Sequence, residues 1–131
     1  MRHLRFLLIA MICISALGCR AKQPSAVEIA SIEFRSSGCF HQVYERLRLI
    51  KTGNVVVATL QSVERSERKQ LNAGQLKAFY TFIQELKNVK EVNGCTTVSS
   101  YKATVGNEHI ERTDGGCSWN GFHTLRSKLF N

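Results

Sequence analysis

From residue 27 onward the dominant signal is alternation between two faces. Val27 and Ile29, then Ile32 and Phe34, mark a first strand over residues 27–35, with one phase change that predicts a bulge near Ser31. Ser36-Ser37-Gly38 closes it. Residues 42–51 and 54–63 read as two more strands joined through Thr52-Gly53 as a two-residue turn. That turn pairs Leu49 with Val56, Leu47 with Ala58 and Glu45 with Leu60. It gathers Leu47, Leu49, Val56, Ala58 and Leu60 on one face and leaves Tyr44, Arg46, Arg48, Thr59 and Gln61 on the other. A slip of one residue would mix the two sets, so the faces are well specified.

Residues 64–70 are charged and aperiodic and read as a solvated connection. A helix then announces itself. Asn72 stands as N-cap with Gln75 as its capping-box partner, and Leu71 can staple onto Leu76. Leu76, Phe79, Ile83 and Leu86 form one apolar stripe, flanked by Tyr80 and Phe82. Residues 97–105 and 108–113 make a second hairpin around Gly106-Asn107, and a short final helix carries Phe122, Leu125 and Leu129. The order βββ-α-ββ-α predicts an α+β domain: an antiparallel sheet with helices packed on one face.

The second hairpin also bears on the cysteines. With Gly106-Asn107 as the turn, Ala103 faces Ile110 and Tyr101 faces Arg112, which puts Cys95 one place off from Cys117 and Val98 on the wrong face. An extra residue bulged at Ser99-Ser100 repairs both and predicts a disulfide between Cys95 and Cys117, with Trp119 near enough to pack on it. Cys39 is then the odd thiol, expected to be buried as a small apolar side chain. Cys39–Cys95 and Cys39–Cys117 are the rival pairings.

Ahead of this domain, residues 1–19 follow a different pattern. A cationic head (Arg2, His3, Arg5) precedes the uncharged run from Phe6 to Ile14, then Ser15-Ala16-Leu17-Gly18 and Cys19. These are the parts of an export signal, and the run is short for a membrane span. Cysteine directly after Ala16-Leu17-Gly18 resembles the lipobox of bacterial lipoproteins, although a Leu is commoner where Ala16 stands and a small residue where Leu17 stands. The resemblance implies that residues 1–18 are removed and that Cys19 carries lipid. The alternative is an ordinary secretory signal that releases a soluble binding protein or inhibitor. Residues 19–26 would then be the lipidated cysteine and a tether reaching at most roughly 25 Å, and residues 27–131 a single domain. In Gram-negative lipoproteins an acidic residue after the cysteine often signals inner-membrane retention. Arg20 is not acidic, so the expectation for such a source is the outer membrane, facing the periplasm. From Glu28 to the end the chain resembles a broad group of small, uncharacterised bacterial lipoprotein domains. The shared pieces are Ser37-Gly38-Cys39-Phe40, Thr52-Gly53-Asn54-Val55, the stretch from Leu71 to Leu76, and Tyr101-Lys102-Ala103-Thr104-Val105. These are turn, cap and core residues, and they imply a fold and no activity.

Charge narrows the partners. The chain carries 18 Lys and Arg against 10 Asp and Glu, a net charge of +8. Arg2 and Arg5 would leave with residues 1–18 while every acidic residue stays, so the mature charge is +6. A basic domain held at a membrane through lipid on Cys19 is drawn to anionic envelope components or acidic proteins, an attraction that weakens with salt. Nucleic acid is set aside for an exported domain. Inhibition of a lysozyme fits poorly, because most lysozymes are themselves basic.

The chain offers little chemistry beyond that. Cys39-Phe40-His41 places two ligand types close together, but no C-x-x-C or H-x-x-x-H pair is present, so no metal or other cofactor is expected. Asp114, between Thr113 and Gly115, reads as a turn residue. Glu108 and Glu111 fall on opposite strand faces and do not make a carboxylate pair. The catalytic alternative is an exported enzyme using Cys39 with a histidine, His41 or His123; it requires a reactive thiol in a cleft with an imidazole in reach. The binding reading rests on Arg35, Tyr44, Arg46 and Arg48, arginines beside an aromatic ring on the outer sheet face, a composition enriched at recognition surfaces.

Overall fold

The computed structural model describes residues 24–117 and 119–131, so the leader expected over residues 1–18 and the lipidation expected at Cys19 lie outside the described residues. The chain runs β1 (Val27–Ser37), β2 (Gln42–Thr52), β3 (Val55–Ser62), β4 (Ser66–Gln70), α1 (Ala73–Lys87), β5 (Val98–Val105), β6 (Glu108–Asp114) and α2 (Gly121–Phe130). All six strands join one antiparallel sheet in the order β4-β3-β2-β1-β5-β6. The fold is α+β, as the pattern predicted. Strand β1 is central, hydrogen-bonded to β2 on one side and β5 on the other.

The phase change in β1 falls at Ile29, two residues earlier than expected, with the register shifting between Glu28 and Ala30. Ala30 is already inward and buried. Its single methyl is too small to mark a face in a hydropathy reading, so the first visible inward residue was Ile32. From there the inward set runs Ala30, Ile32, Phe34, Ser36, and the outward set Ser31, Glu33, Arg35, Ser37.

The β2–β3 hairpin turns at Gly53-Asn54, not Thr52-Gly53. Thr52 pairs with Val55, Leu49 with Ala58, Leu47 with Leu60 and Glu45 with Ser62. Each pair is shifted by two residues from the expected register, which leaves every side chain on its expected face because the pleat repeats every two. Gly53 holds φ at +59°, and Gly106, first of the two residues in the other hairpin turn, holds +57°. A positive φ at the first turn position is what a tight II′ hairpin needs and what glycine tolerates.

Residues 66–70 form an edge strand and not a solvated connection. Ser62 N–H donates to the Arg65 carbonyl at 2.9 Å, and the chain returns alongside β3. Its alternation is between long amphipathic side chains. Glu67 and Lys69 are half-buried and Ser66, Arg68 and Gln70 exposed, a pattern invisible to hydropathy. Charge on an edge strand also discourages pairing with other chains.

Helix α1 opens as expected. Asn72 Oδ1 accepts from Gln75 N–H at 2.9 Å, and Gln75 Oε1 accepts from Asn72 N–H at 3.0 Å. The buried stripe is Phe79, Phe82, Ile83 and Leu86; Leu76 is half-buried and Tyr80 exposed, so the helix is rolled slightly toward Phe82. Together with Phe122, Leu125 and Leu129 of α2, this stripe closes one core over Ile32, Leu47, Leu49, Leu60, Tyr101 and Ala103 of the sheet. Each large apolar side chain so buried contributes about 1.5–3 kcal/mol.

Polar links fix how the helices lie. Gln75 Nε2 donates to the Leu129 carbonyl at 3.0 Å, satisfying an orphan acceptor at the end of α2. Arg126 Nη1 reaches the buried Glu45 carboxylate at 2.9 Å, pinning α2 to β2. Arg112 Nη2 donates to the Lys87 carbonyl at 3.2 Å, holding the end of α1 against β6.

Cys95 and Cys117 are joined, their Cα atoms 5.8 Å apart. The bulge that was expected to bring them together is absent: Ser99 pairs with Asp114 and Ser100 with Thr113 in the same register as Tyr101 with Arg112. The bridge forms instead because β6 ends at Asp114. Gly115 N–H donates to the Val92 carbonyl and Cys95 N–H to the Gly115 carbonyl, and Cys117 turns back with φ at +55°. Val98 consequently stays on the outer face, exposed. With the cysteines 22 positions apart in sequence, the bridge stabilises by about 3 kcal/mol on chain-entropy grounds.

The double duty of Gln75 makes a counter-intuitive prediction. Gln75→Glu keeps the capping box and adds a favourable charge at a helix N-terminus, so helix rules alone would favour it. Here it replaces the amide donor that serves the Leu129 carbonyl with an acceptor. The variant should be less stable than the parent by about 1 kcal/mol in urea unfolding, and equal or greater stability would show that the link to α2 carries no weight.

Candidate functional site

The helices cover one face of the sheet; no described element lies over the other. On that open face the β1–β2 register sets Arg35 opposite Tyr44, Glu33 opposite Arg46 and Ser31 opposite Arg48. The four residues singled out from the sequence are therefore brought together on two adjacent strands. Arg35 lies over the Tyr44 ring, its guanidinium carbon 5.2 Å from the centroid. Arg46 Nε is 3.9 Å from Glu33 Oε1, too long for a hydrogen bond, and that nitrogen is buried without a hydrogen-bond partner among the described residues.

Neighbouring strands extend the surface. Lys102 lies beside Glu33 and is paired with Glu111 at 3.0 Å; Arg68 of β4 lies beside Thr59, which adjoins Arg48. Across the paired strands the outward charges are Arg35, Arg46, Arg48, Arg68 and Lys102 against Glu28, Glu33 and Glu111. Among the described residues neither Arg35 nor Arg48 is in an ion pair. Arg68 and Lys102 went unnoticed in the sequence, Arg68 because its strand was read as a connection. An open cleft of about 480 Å³ runs past Glu33, Arg46, Lys102 and His109. Thr104 Oγ1 and His109 Nδ1, 3.1 Å apart, form part of its wall.

The expectation of a buried Cys39 is overturned: the thiol is exposed. Gly38 N–H donates to the His41 carbonyl at 3.0 Å, and this tight turn throws Cys39 and Phe40 outward. Cys39 lines none of the clefts described here, and no hydrogen bond joins it to an imidazole among the described residues. His123 lies apart from that turn along the chain, on α2. No group of three or more His, Cys, Asp or Glu able to hold a metal ion occurs among the described residues.

No protein-family model matches this chain, nor does any curated protein.

A second cavity, about 280 Å³, sits at the disulfide end of the core, walled by Tyr101, Asp114, Trp119, Phe122 and His123. Trp119 stacks on Phe82 with centroids 5.5 Å apart and meets Tyr101 edge-on at 5.1 Å, so its partners are aromatic rings of α1 and β5. Asp114 Oδ1 accepts from Gly116 N–H at 2.8 Å, the local turn bond expected of it. Burial pushes the Tyr101 phenol up to about 12; a hydrogen bond with Ser99 opposes this and the nearby Asp114 carboxylate adds to it.

This shift has a definite sign in stability. Above pH 10 the unfolded phenol ionises while the folded one holds its proton, so the folded chain binds more protons and stability falls as pH rises. The contribution is complete below about pH 10 and lost progressively toward about 12, with a slope of at most about 1.4 kcal/mol per pH unit. Tyr101→Phe should remove this part of the alkaline decline. Parallel urea titrations of both proteins across that window measure it, and curves that keep a constant separation would show that Tyr101 titrates normally.

Proposed function

We propose that this chain is a lipid-anchored cell-envelope protein whose domain binds, without catalysis, an anionic envelope component or an acidic protein through the open face of its sheet. The observation that carries the reading is the alignment of Arg35, Tyr44, Arg46 and Arg48 on an uncovered face where cations outnumber carboxylates. A solvated sheet face needs only polarity. The excess of arginine and an aromatic ring held beneath a guanidinium go further and suit the recognition of anions. The net charge of +6 expected for the mature domain adds long-range attraction of the same sign.

The anchor rests on the pattern of residues 1–19, and one feature of the domain supports export: the Cys95–Cys117 bridge suits an oxidising compartment. Lipid on Cys19 would hold the domain at the bilayer, and Arg20 favours the outer membrane if the source is Gram-negative. Two or three acyl chains make such an anchor stable where one would hold only marginally.

Mass spectrometry of the membrane-extracted protein should find residues 1–18 absent and a diacyl or triacyl mass on Cys19, with Cys19→Ala losing both features. Unlipidated protein starting elsewhere would instead indicate an ordinary secretory signal. For the binding face, an Arg46→Glu, Arg48→Glu double variant used as bait on solubilised envelope should recover its partner several-fold less than the parent chain. The parent's recovery should itself fall between about 0.05 M and about 0.5 M salt. Undiminished recovery by the double variant would remove the open face from the binding site.

A further inference from the structure

The exposed apolar side chains are unevenly distributed. Phe40 is 101% exposed and Val63 88%, and with Val43, Tyr44 and Val98 they gather at one end of the sheet, the pole formed by the β1–β2 loop, the β3–β4 turn and the start of β5. Two open clefts meet there, about 600 Å³ and about 410 Å³, sharing Val43, Tyr44 and Val63 in their walls. Arg35 is the one charged side chain lining the larger, where Val98 forms part of the opposite side. The Arg35 guanidinium is held over the Tyr44 ring and is in no ion pair among the described residues. Exposed apolar side chains gathered together and rimmed by polar groups have the composition of an interaction surface.

Position and charge narrow the occupant. Pro24, where the described chain begins, lies beside Gly53 at the opposite end of the sheet, and the eleven residues of β1 separate the two ends by roughly 35 Å. The pole therefore lies far from the point where a tether on Cys19 would join. A second copy would bring the same unpaired arginine and the same positive net charge to the contact. A carboxylate is the complement that Arg35 lacks, and an aliphatic or aromatic side chain is the complement of the valine-lined walls.

We infer that the pole is a docking site for a segment of another protein in which apolar residues adjoin carboxylates, with an apolar side chain seated between Val43, Val63 and Val98 and a carboxylate on Arg35. This deepens the binding reading above and rests on it, naming the acidic partner and placing its anchoring contact at one end of the open face.

The test uses the full chain, purified in detergent, and a short fluorescein-labelled peptide alternating leucine with aspartate. Two control peptides replace aspartate by lysine or leucine by serine. The leucine–aspartate peptide should bind, and each control should bind about tenfold more weakly in fluorescence anisotropy. Arg35→Glu should reverse the charge preference toward the lysine peptide, Val63→Ser should weaken both apolar peptides, and Arg48→Glu should change little. Val63 and Arg35 are exposed, and circular dichroism checks that each variant is folded. Peptides that bind alike, or not at all, overturn the proposal. An Arg48→Glu loss as large as that of Arg35→Glu also overturns it while leaving the wider open-face reading in place; conversely, unchanged envelope recovery by the Arg46, Arg48 double variant removes the wider reading alone. Two further outcomes would assign the pole to another occupant and refute the protein segment. One is a dimer in sedimentation that Val63→Ser dissociates. The other is binding of the Cys19→Ala chain to anionic phosphatidylglycerol vesicles that Val63→Ser abolishes.

Discussion

Strand β1 is the constraint from which the rest of the molecule follows. It lies in the middle of the sheet, and both neighbours take their register from it. Because the pleat repeats every two residues, the parity set at Ala30 after the bulge decides which side chains of β2 and β5 face the helices. One face then collects Ile32, Leu47, Leu49, Tyr101 and Ala103 and must be covered to leave water; the other collects Glu33, Arg35, Arg46, Arg48 and Lys102 and must not be. A single parity thus separates a core from a surface.

Covering the inner face with two helices creates a second requirement, that they keep a fixed position on a sheet whose apolar contacts are non-directional. Directional bonds to helix ends meet it. Gln75 caps α1 and reaches the last turn of α2; Arg112 holds the end of α1; Arg126 couples α2 to a carboxylate on β2 that would otherwise be buried alone. Glu45 illustrates the economy of the arrangement. It occupies an inward position, and the cost of desolvating its charge is offset only because an arginine from a distant part of the chain arrives beside it.

The open face inherits its character from the same geometry. Directly opposed residues bring Arg35 onto Tyr44 and Glu33 near Arg46. At the pole Val43, which has the same strand parity as the buried Glu45, Leu47 and Leu49, is left in solvent near Arg35, which is in no ion pair among the described residues. The excess of cations on the open face and the exposed apolar residues at one end both follow from which parts of the sheet the helices leave uncovered.

Sequence pattern alone determined the type of every element except β4, the face of nearly every strand residue, the capping box at Asn72 and Gln75, and the Gly106-Asn107 turn. Each depends on a local period or a local turn, which a linear string carries intact. The Arg35, Tyr44, Arg46, Arg48 patch was legible for the same reason, since parity places it. What failed depended on contacts across the fold. The Thr52-Gly53 turn was two residues out in register because either reading preserves the faces, and only the pairing of Thr52 with Val55 distinguishes them. Strand β4 was missed because its inward positions, Glu67 and Lys69, bury stems and not whole side chains. The bulge at Ser99-Ser100 was inferred to bring two cysteines together that the turn at Gly115 brings together instead. Cys39 lost its expected burial to a tight loop turn, and the strand order, the Arg126–Glu45 pair and the exposed pole had no local signature at all. Those features are set by which surfaces meet in three dimensions, and tertiary packing decides them.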